Sequence, residues 1–211
     1  MPFNIPFATL ANYSRGSTDA ARKSQKICPQ IKRANPRSIS SFVATVKQEG
    51  DEFDELRDFI EDDRTLVPVP GSGVTDERNL WVAYRLCMAL SEGGFANPVE
   101  TIVKRTAAIR KSSFCRAGER PEASEHRDTM TAHTDLLVPT KVLLVDDVLT
   151  RGCTTIGAAL CLRAKYPDVD VRVFSVFLTK NFDPDFPNFV DPTFGTLSYD
   201  ERYDHTSRDP N

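Results

Sequence analysis

The stretch K-V-L-L-V-D-D-V-L-T-R-G-C-T-T at 141–155 decides how this chain is read. It begins with four apolar residues in a row, 142–145, with no polar alternation. That pattern marks a strand buried on both faces, the kind found in the parallel sheets of α/β proteins. Two adjacent carboxylates, Asp146 and Asp147, follow at the strand's carboxyl end. A turn rich in hydroxyls and glycine comes next, then a helix-compatible run from 155 to 165 that stops before Pro167. Open parallel sheets bind ligands at the carboxyl ends of their strands. Unpaired charge is costly to bury, so these acids are expected to meet a ligand. Neighbouring carboxylates can ligate a metal, act as acid or base, or accept hydrogen bonds from a diol.

The residues that follow narrow the chemistry. Thr150, Arg151, Gly152, Cys153, Thr154 and Thr155 supply hydroxyls, a flexible glycine and the free N–H groups of a helix start. That combination suits a phosphate monoester held by backbone amides and hydroxyls. Diol acceptors beside a phosphate cradle fit a ribose 5-phosphate, with its 2- and 3-hydroxyls on Asp146 and Asp147.

Upstream, L-V-P-V at 66–69 runs into P-G-S-G at 70–73. Prolines 68 and 70 place this strand at a sheet edge. Gly71, Ser72 and Gly73 form a turn in which backbone can approach an anion closely, before a helix by pattern over 78–91. The turn is neither the G-x-G-x-x-G dinucleotide fingerprint nor a G-x-x-x-x-G-K-[ST] phosphate loop. A further strand is expected over 99–103, leading into Lys104 and Arg105. From there to Pro139 apolar periodicity is lost, which is long for an ordinary connection. Between 104 and 127 stand seven basic and three acidic residues. The segment reads either as a solvated excursion or as a mobile lid over an anionic ligand. Helical patterning covers 38–47 and 53–60, and a strand is expected over 169–178.

Strands alternating with helices predict an α/β fold with a mostly parallel central sheet flanked by helices. The stretch 1–35 reads as a solvated arm or first helix, and 182–211 as a wrapping or partly disordered tail. The expected division is a helical N-terminal segment over 1–65, a core over 66–180 and an irregular tail over 181–211. The net charge of −3 argues against a dedicated nucleic-acid binder. No run approaches the ~18 apolar residues of a membrane span, and the start lacks the features of a secretory signal. The five cysteines form no C-x-x-C pair and read as free thiols in a reducing cytoplasm, without zinc. A response-regulator receiver also carries paired acids after an apolar strand, but it needs more chain after Asp147 than the 64 residues present.

V-L-L-V-D-D-V-L-T-R-G-C-T-T resembles the phosphoribosyl-pyrophosphate (PRPP) signature of the type I phosphoribosyltransferases. Its R-G-x-T-T ending looks most like the amidophosphoribosyltransferase and competence-associated branches. L-V-P-V-P-G-S-G at 66–73 is placed where that family has its pyrophosphate loop, and the basic segment after Val103 where it has its flexible catalytic loop. K-S-x-F followed by E-R-P-x-x-x-E-H, over 111–126, resembles an orphan bacterial subgroup. The resemblance covers 66–178 and implies the type I fold, with a small hood built from the N-terminal segment and tail. It also implies the site. Asp146 and Asp147 would hold the ribose hydroxyls, with Mg²⁺ bridging them to the pyrophosphate, and residues 150–155 would cradle the 5-phosphate. Gly71, Ser72 and Gly73 would offer backbone to the pyrophosphate, in this family often through a strained cis peptide. Lys104, Arg105 and Lys111 would neutralise the departing pyrophosphate. The implied protein is a cytoplasmic homodimer of nucleotide metabolism that transfers ribose 5-phosphate to a nitrogenous acceptor. The alternative is a PRPP- or nucleotide-binding regulator without turnover. Thr150 stands where purine-salvage members place an acid, which argues against a hypoxanthine–guanine type. With no cysteine before Cys28, glutamine-dependent chemistry is not expected.

Overall fold

The computed structural model describes residues 3–61, 63–76, 81–95, 98–111, 115–116, 119–133, 139–180 and 185–210. Its centre is a six-stranded sheet. In chain order the strands and helices are β1 (Phe3–Tyr13), α1 (Asp19–Lys32), α2 (Pro36–Val46), α3 (Asp51–Glu61), β2 (Thr65–Pro68) and α4 (Val82–Leu90). Then come β3 (Val103–Arg105), α5 (Ala123–Asp128), β4 (Met130–Ala132), β5 (Lys141–Leu149) and α6 (Cys153–Lys165). The chain finishes with β6 (Asp170–Thr179), β7 (Val190–Asp200) and β8 (His205–Pro210). The sheet order is β2-β5-β6-β1-β7-β8, and β3 pairs with β4 in a separate ladder. β2, β5, β6 and β1 run parallel, while β7 and β8 add an antiparallel hairpin at one edge.

The α/β expectation holds in this mixed form, and β5 shows why. Val142 and Leu144 pack on one side of the sheet, with Ile156 and Leu162 of α6. Leu143 and Val145 pack on the other, with Phe42 of α2, Leu56 of α3 and Leu86 of α4. Both faces are apolar because both are covered, as the unbroken run at 142–145 requires. Helices α1 and α2 start where short polar side chains can cap them. The Thr18 hydroxyl accepts from the Ala21 N–H, and the Asn35 carboxamide from the Ser38 N–H, with Pro36 opening α2. Among the described residues no helix is long and apolar enough to cross a membrane.

Several expectations are corrected. Residues 3–13 are neither arm nor helix. They form β1, seated between β6 and β7, with Ile5 and Phe7 fully buried. Two-sided burial and the polar residues Asn4, Thr9 and Asn12 blur its period. The tail at 190–210 is the β7–β8 hairpin. Its prolines and acids hide an alternation in which Gly195, Leu197 and Tyr199 face inward. The core therefore extends well beyond 66–180. Residues 104–139 are not a featureless loop, since β3, α5 and β4 lie within them. The strand expected over 99–103 splits: Val99 bridges Leu66 at the β2 edge, and Val103 turns away to pair with β4. β2 does lie at the sheet edge, as Pro68 dictates. The helix expected over 78–91 is present from Val82, and the part of that expectation at 78–80 lies outside the described residues.

Candidate functional site

Four parallel strands point their carboxyl ends the same way, and a cleft of about 630 Å³ lies across those ends. Tyr13, Ser14 and Arg15 line it at and just past the end of β1, and Pro70, Gly71 and Ser72 after β2. Residues 146–148 and 150–155 line it from β5 onward, and Thr179 and Lys180 at the end of β6. Lys32, from the last turn of α1, closes another side.

β5 is longer than its apolar run. Its ladder with β6 continues through Asp146 opposite Ser175 to Leu149 opposite Leu178, so the carboxylates sit inside the strand's last turns of pleat. Both acids are half-buried. The Asp147 N–H donates to Asp146 Oδ1 at 2.8 Å. Burial, and then the negative charge of Asp147, push the Asp146 carboxyl well above the usual carboxylate range, while Lys32 pulls it back. A carboxylate pair held this way is short of positive charge. Among the described residues no three His, Cys, Asp or Glu side chains gather into a complete metal cage. The donor set is all oxygen, one or two carboxylates, which fits a magnesium ion that keeps water and substrate oxygens as its remaining ligands.

The loop at 150–155 is heavily braced. Gly152 has φ of +88°, and a Cβ there would lie 2.9 Å from Leu197 Cδ2 of β7, so both backbone and space demand glycine. No side chain caps α6, whose first turn lines the cleft. The positive end of its dipole is thus open to an anion. Arg208 of β8 donates to the carbonyls of Leu149 (3.1 Å), Thr150 (2.8 Å) and Thr179 (2.9 Å), tying the ends of β5 and β6 together. Arg151 donates to Glu122 Oε1 at 2.7 Å and to the Pro121 carbonyl at 3.4 Å. The Cys153 thiol lies 3.6 Å from Glu122 Oε2 and is pushed up to about 11, chiefly by burial.

The turn after β2 is held more sparingly. The Trp81 indole N–H donates to the Val69 carbonyl at 3.0 Å, and the Ile109 N–H to the Ser72 carbonyl at 2.9 Å. A Cβ added at Gly71 or Gly73 would meet nothing within 4 Å. Gly71 and Ser72 line the cleft; Gly73 does not. The peptide bonds of the described residues are trans, where a cis bond was expected.

Two of the three cations expected at the pyrophosphate are elsewhere. Lys104 is exposed on β3, opposite Thr131 and away from the cleft. Arg105 is 1 % exposed, and its guanidinium donates to the Gly71 carbonyl, to Thr129 Oγ1 and, at 3.1 Å, to His126 Nδ1. Burial lowers it to about 10. Lys111 does line the cleft, beside Arg110 and Arg120. The Arg120 Nε is buried without a hydrogen-bond partner, an orphaned donor in the wall of the cleft. In all, seven basic side chains and two acidic ones line the space. Sequence reading missed Arg15, Lys32, Lys180 and His126. For Lys180 a signal existed: it is the first residue past the last buried strand, the position that faces a parallel sheet's ligand. Arg15 and Lys32 carried none: Arg15 follows β1, a strand the sequence does not announce, and Lys32 reaches the cleft only because α1 packs beside that strand.

No protein-family model matches the chain, and no curated protein matches it.

Proposed function

We propose that the chain is a Mg²⁺-dependent phosphoribosyltransferase of type I fold, with α1 and α2 as its hood, which transfers ribose 5-phosphate from PRPP to a nitrogenous acceptor. The observation that carries this reading is the convergence of three parts in one cleft. They are the Asp146–Asp147 pair, the uncapped start of α6 and the open Gly71–Ser72 turn, surrounded by an excess of cations.

On this reading, Asp146 and Asp147 accept hydrogen bonds from the ribose hydroxyls, and the 150–155 backbone and hydroxyls hold the 5-phosphate. Gly71 and Ser72 present backbone to the pyrophosphate, and Arg110, Lys111 and Arg120 balance its charge. The bond from ribose C1 to the pyrophosphate oxygen breaks, a bond from C1 to the acceptor nitrogen forms, and the proton that nitrogen loses passes to the departing pyrophosphate or to water. Positive charge develops on the ribose as negative charge develops on the leaving group, so fixed cations and positioning supply the catalysis. Asp146 and Asp147 would hold Mg²⁺, which would supply charge neutralisation at the pyrophosphate.

The burial of Arg105 and the outward placement of Lys104 favour a second reading, a PRPP-binding regulator without turnover, since they leave fewer cations for the leaving group. One experiment addresses both. Calorimetry with PRPP and Mg²⁺ should show binding that Asp146→Asn combined with Asp147→Asn abolishes; unchanged affinity would sink the diol assignment. Pyrophosphate release is then assayed over a panel of bases and amines. Release with any acceptor establishes the transferase, and silence across the panel with PRPP binding intact establishes the regulator.

A further inference from the structure

His126 is the last residue of the E-R-P-x-x-x-E-H pattern and has no part in the chemistry above. It is 3 % exposed, on α5. Its Nδ1 lies 3.1 Å from an Arg105 nitrogen, and its Nε2 lies 3.4 Å from Thr154 Oγ1. A guanidinium can only donate, so Nδ1 accepts. A neutral imidazole carries one N–H, which is then on Nε2 and points at Thr154. Burial, then the charges of Arg105 and Arg151, lower His126 to about 4, so the ring is neutral near pH 7. Thr154 therefore receives a hydrogen bond and has its own O–H to give. A helical threonine commonly gives it to the carbonyl four residues back, but among the described residues the hydrogen-bond partner of Thr154 Oγ1 is His126 and no backbone carbonyl. Thr154 lines the cleft, where a ligand oxygen can take that O–H.

The closeness is built into the packing. Gly157 of α6 faces His126, and a Cβ there would lie 2.6 Å from His126 Cβ and 2.9 Å from the Ala123 carbonyl. Only glycine lets α5 approach α6 far enough for the imidazole to reach Thr154. α5 is also pinned at its start, where the Ser124 N–H and hydroxyl both donate to Asp204.

We propose that His126, with its tautomer fixed by Arg105, is a positioning residue that turns the Thr154 hydroxyl into a donor for a phosphate group in the 150–155 loop. The inference rests on the reading of that loop as a phosphate site. Arg105 also donates to the Gly71 carbonyl, so the same buried cation fixes the turn on the other side of the cleft.

The test uses the full chain and ribose 5-phosphate as the probe in calorimetry. His126→Phe, which keeps the bulk but neither accepts nor donates, should weaken binding about tenfold, the usual scale for a hydrogen bond to a charged group. Thr154→Val should do the same. The double variant should be no weaker than Thr154→Val, because the two residues act through one bond. His126→Gln, which can both accept and donate, should recover most of the affinity. Wild-type affinity in His126→Phe, or additive losses in the double variant, overturns the proposal. Imidazole ¹⁵N spectra of the unaltered protein at pH 7 supply a reading that no misfolded variant can spoil. They should show Nε2 protonated and Nδ1 bare, and the opposite tautomer overturns the proposal. If the unaltered protein binds no ribose 5-phosphate, the phosphate reading of the loop falls and this inference with it. Loss confined to the variants' comparison leaves that reading standing.

Discussion

The two loops that face each other across the cleft are built in opposite ways. The 150–155 loop is fastened from three directions: Arg208 from the C-terminal hairpin, Glu122 from the start of α5, and His126 from within that helix, while Leu197 leaves no room for a side chain at Gly152. The Gly71–Ser72 turn hangs from the Trp81 contact behind it, the Ile109 amide and the buried Arg105. Open space surrounds its glycines. A rigid cradle suits a group that stays bound in the same place throughout a reaction, as a 5-phosphate would. A spare turn with room above it suits a group that arrives and leaves, as a pyrophosphate would. The contrast is in bracing and space, and it can be broken by substitution.

The largest effect is expected from alanine at Gly152, with alanine at Gly71 as its counterpart. Gly152→Ala forces a side chain into left-handed backbone, roughly 1–2 kcal/mol, and drives its Cβ against Leu197. A total of roughly 2–3 kcal/mol, or about 4–12 °C in Tm for a chain of this size, should appear in thermal unfolding. Gly71→Ala meets no protein atom, so Tm should move by less than about 2 °C, while affinity for inorganic pyrophosphate falls because the methyl group enters the cleft. Equal losses of stability at the two positions would erase the contrast.

Arg208→Met ranks next. The methionine keeps the apolar stem but withdraws donors from three carbonyls at the ends of β5 and β6. Roughly 2 kcal/mol of stability should go, with a parallel loss of ribose 5-phosphate affinity. Stability lost with affinity intact would mean that the hairpin braces the sheet and not the loop.

The sequence exposed the parts of this molecule that repeat a simple pattern. The run at 142–145 predicts a doubly buried strand and its place in a parallel sheet, and Pro68 predicts an edge; both hold. What failed was whatever needed a partner distant in the chain. β1 is a strand because β6 and β7 cover its two edges, and nothing between Phe3 and Tyr13 announces them. The hairpin at 190–210 alternates, but Pro187 and Pro192 read as breakers. α5 has six residues, too few to show a period, although its capping residues Glu122 and Glu125 could have been noticed. In the site, residues on the β5 turn were legible because the turn is local. Arg105 and Lys104 show the limit. Adjacent in sequence and chemically alike, they were given one role, yet strand alternation sends one into the core and the other to solvent.

That alternation gives the smallest and most discriminating prediction. Lys104 and Lys111 carry the same charge and both are exposed, but only Lys111 lines the cleft. If the basic segment acted as a diffuse field, removing either charge would matter alike. Exposed charges lose reach beyond about 8–10 Å at physiological salt, so position should decide. Lys111→Ala should weaken inorganic pyrophosphate binding by about threefold to tenfold, the scale of a single ion pair at a partly screened site. Lys104→Ala should leave it unchanged within error. Raising the salt should shrink the Lys111 effect without creating one at Lys104. Equal losses at both positions would return the pyrophosphate to the whole basic segment and leave the Gly71 turn as one of several places for it.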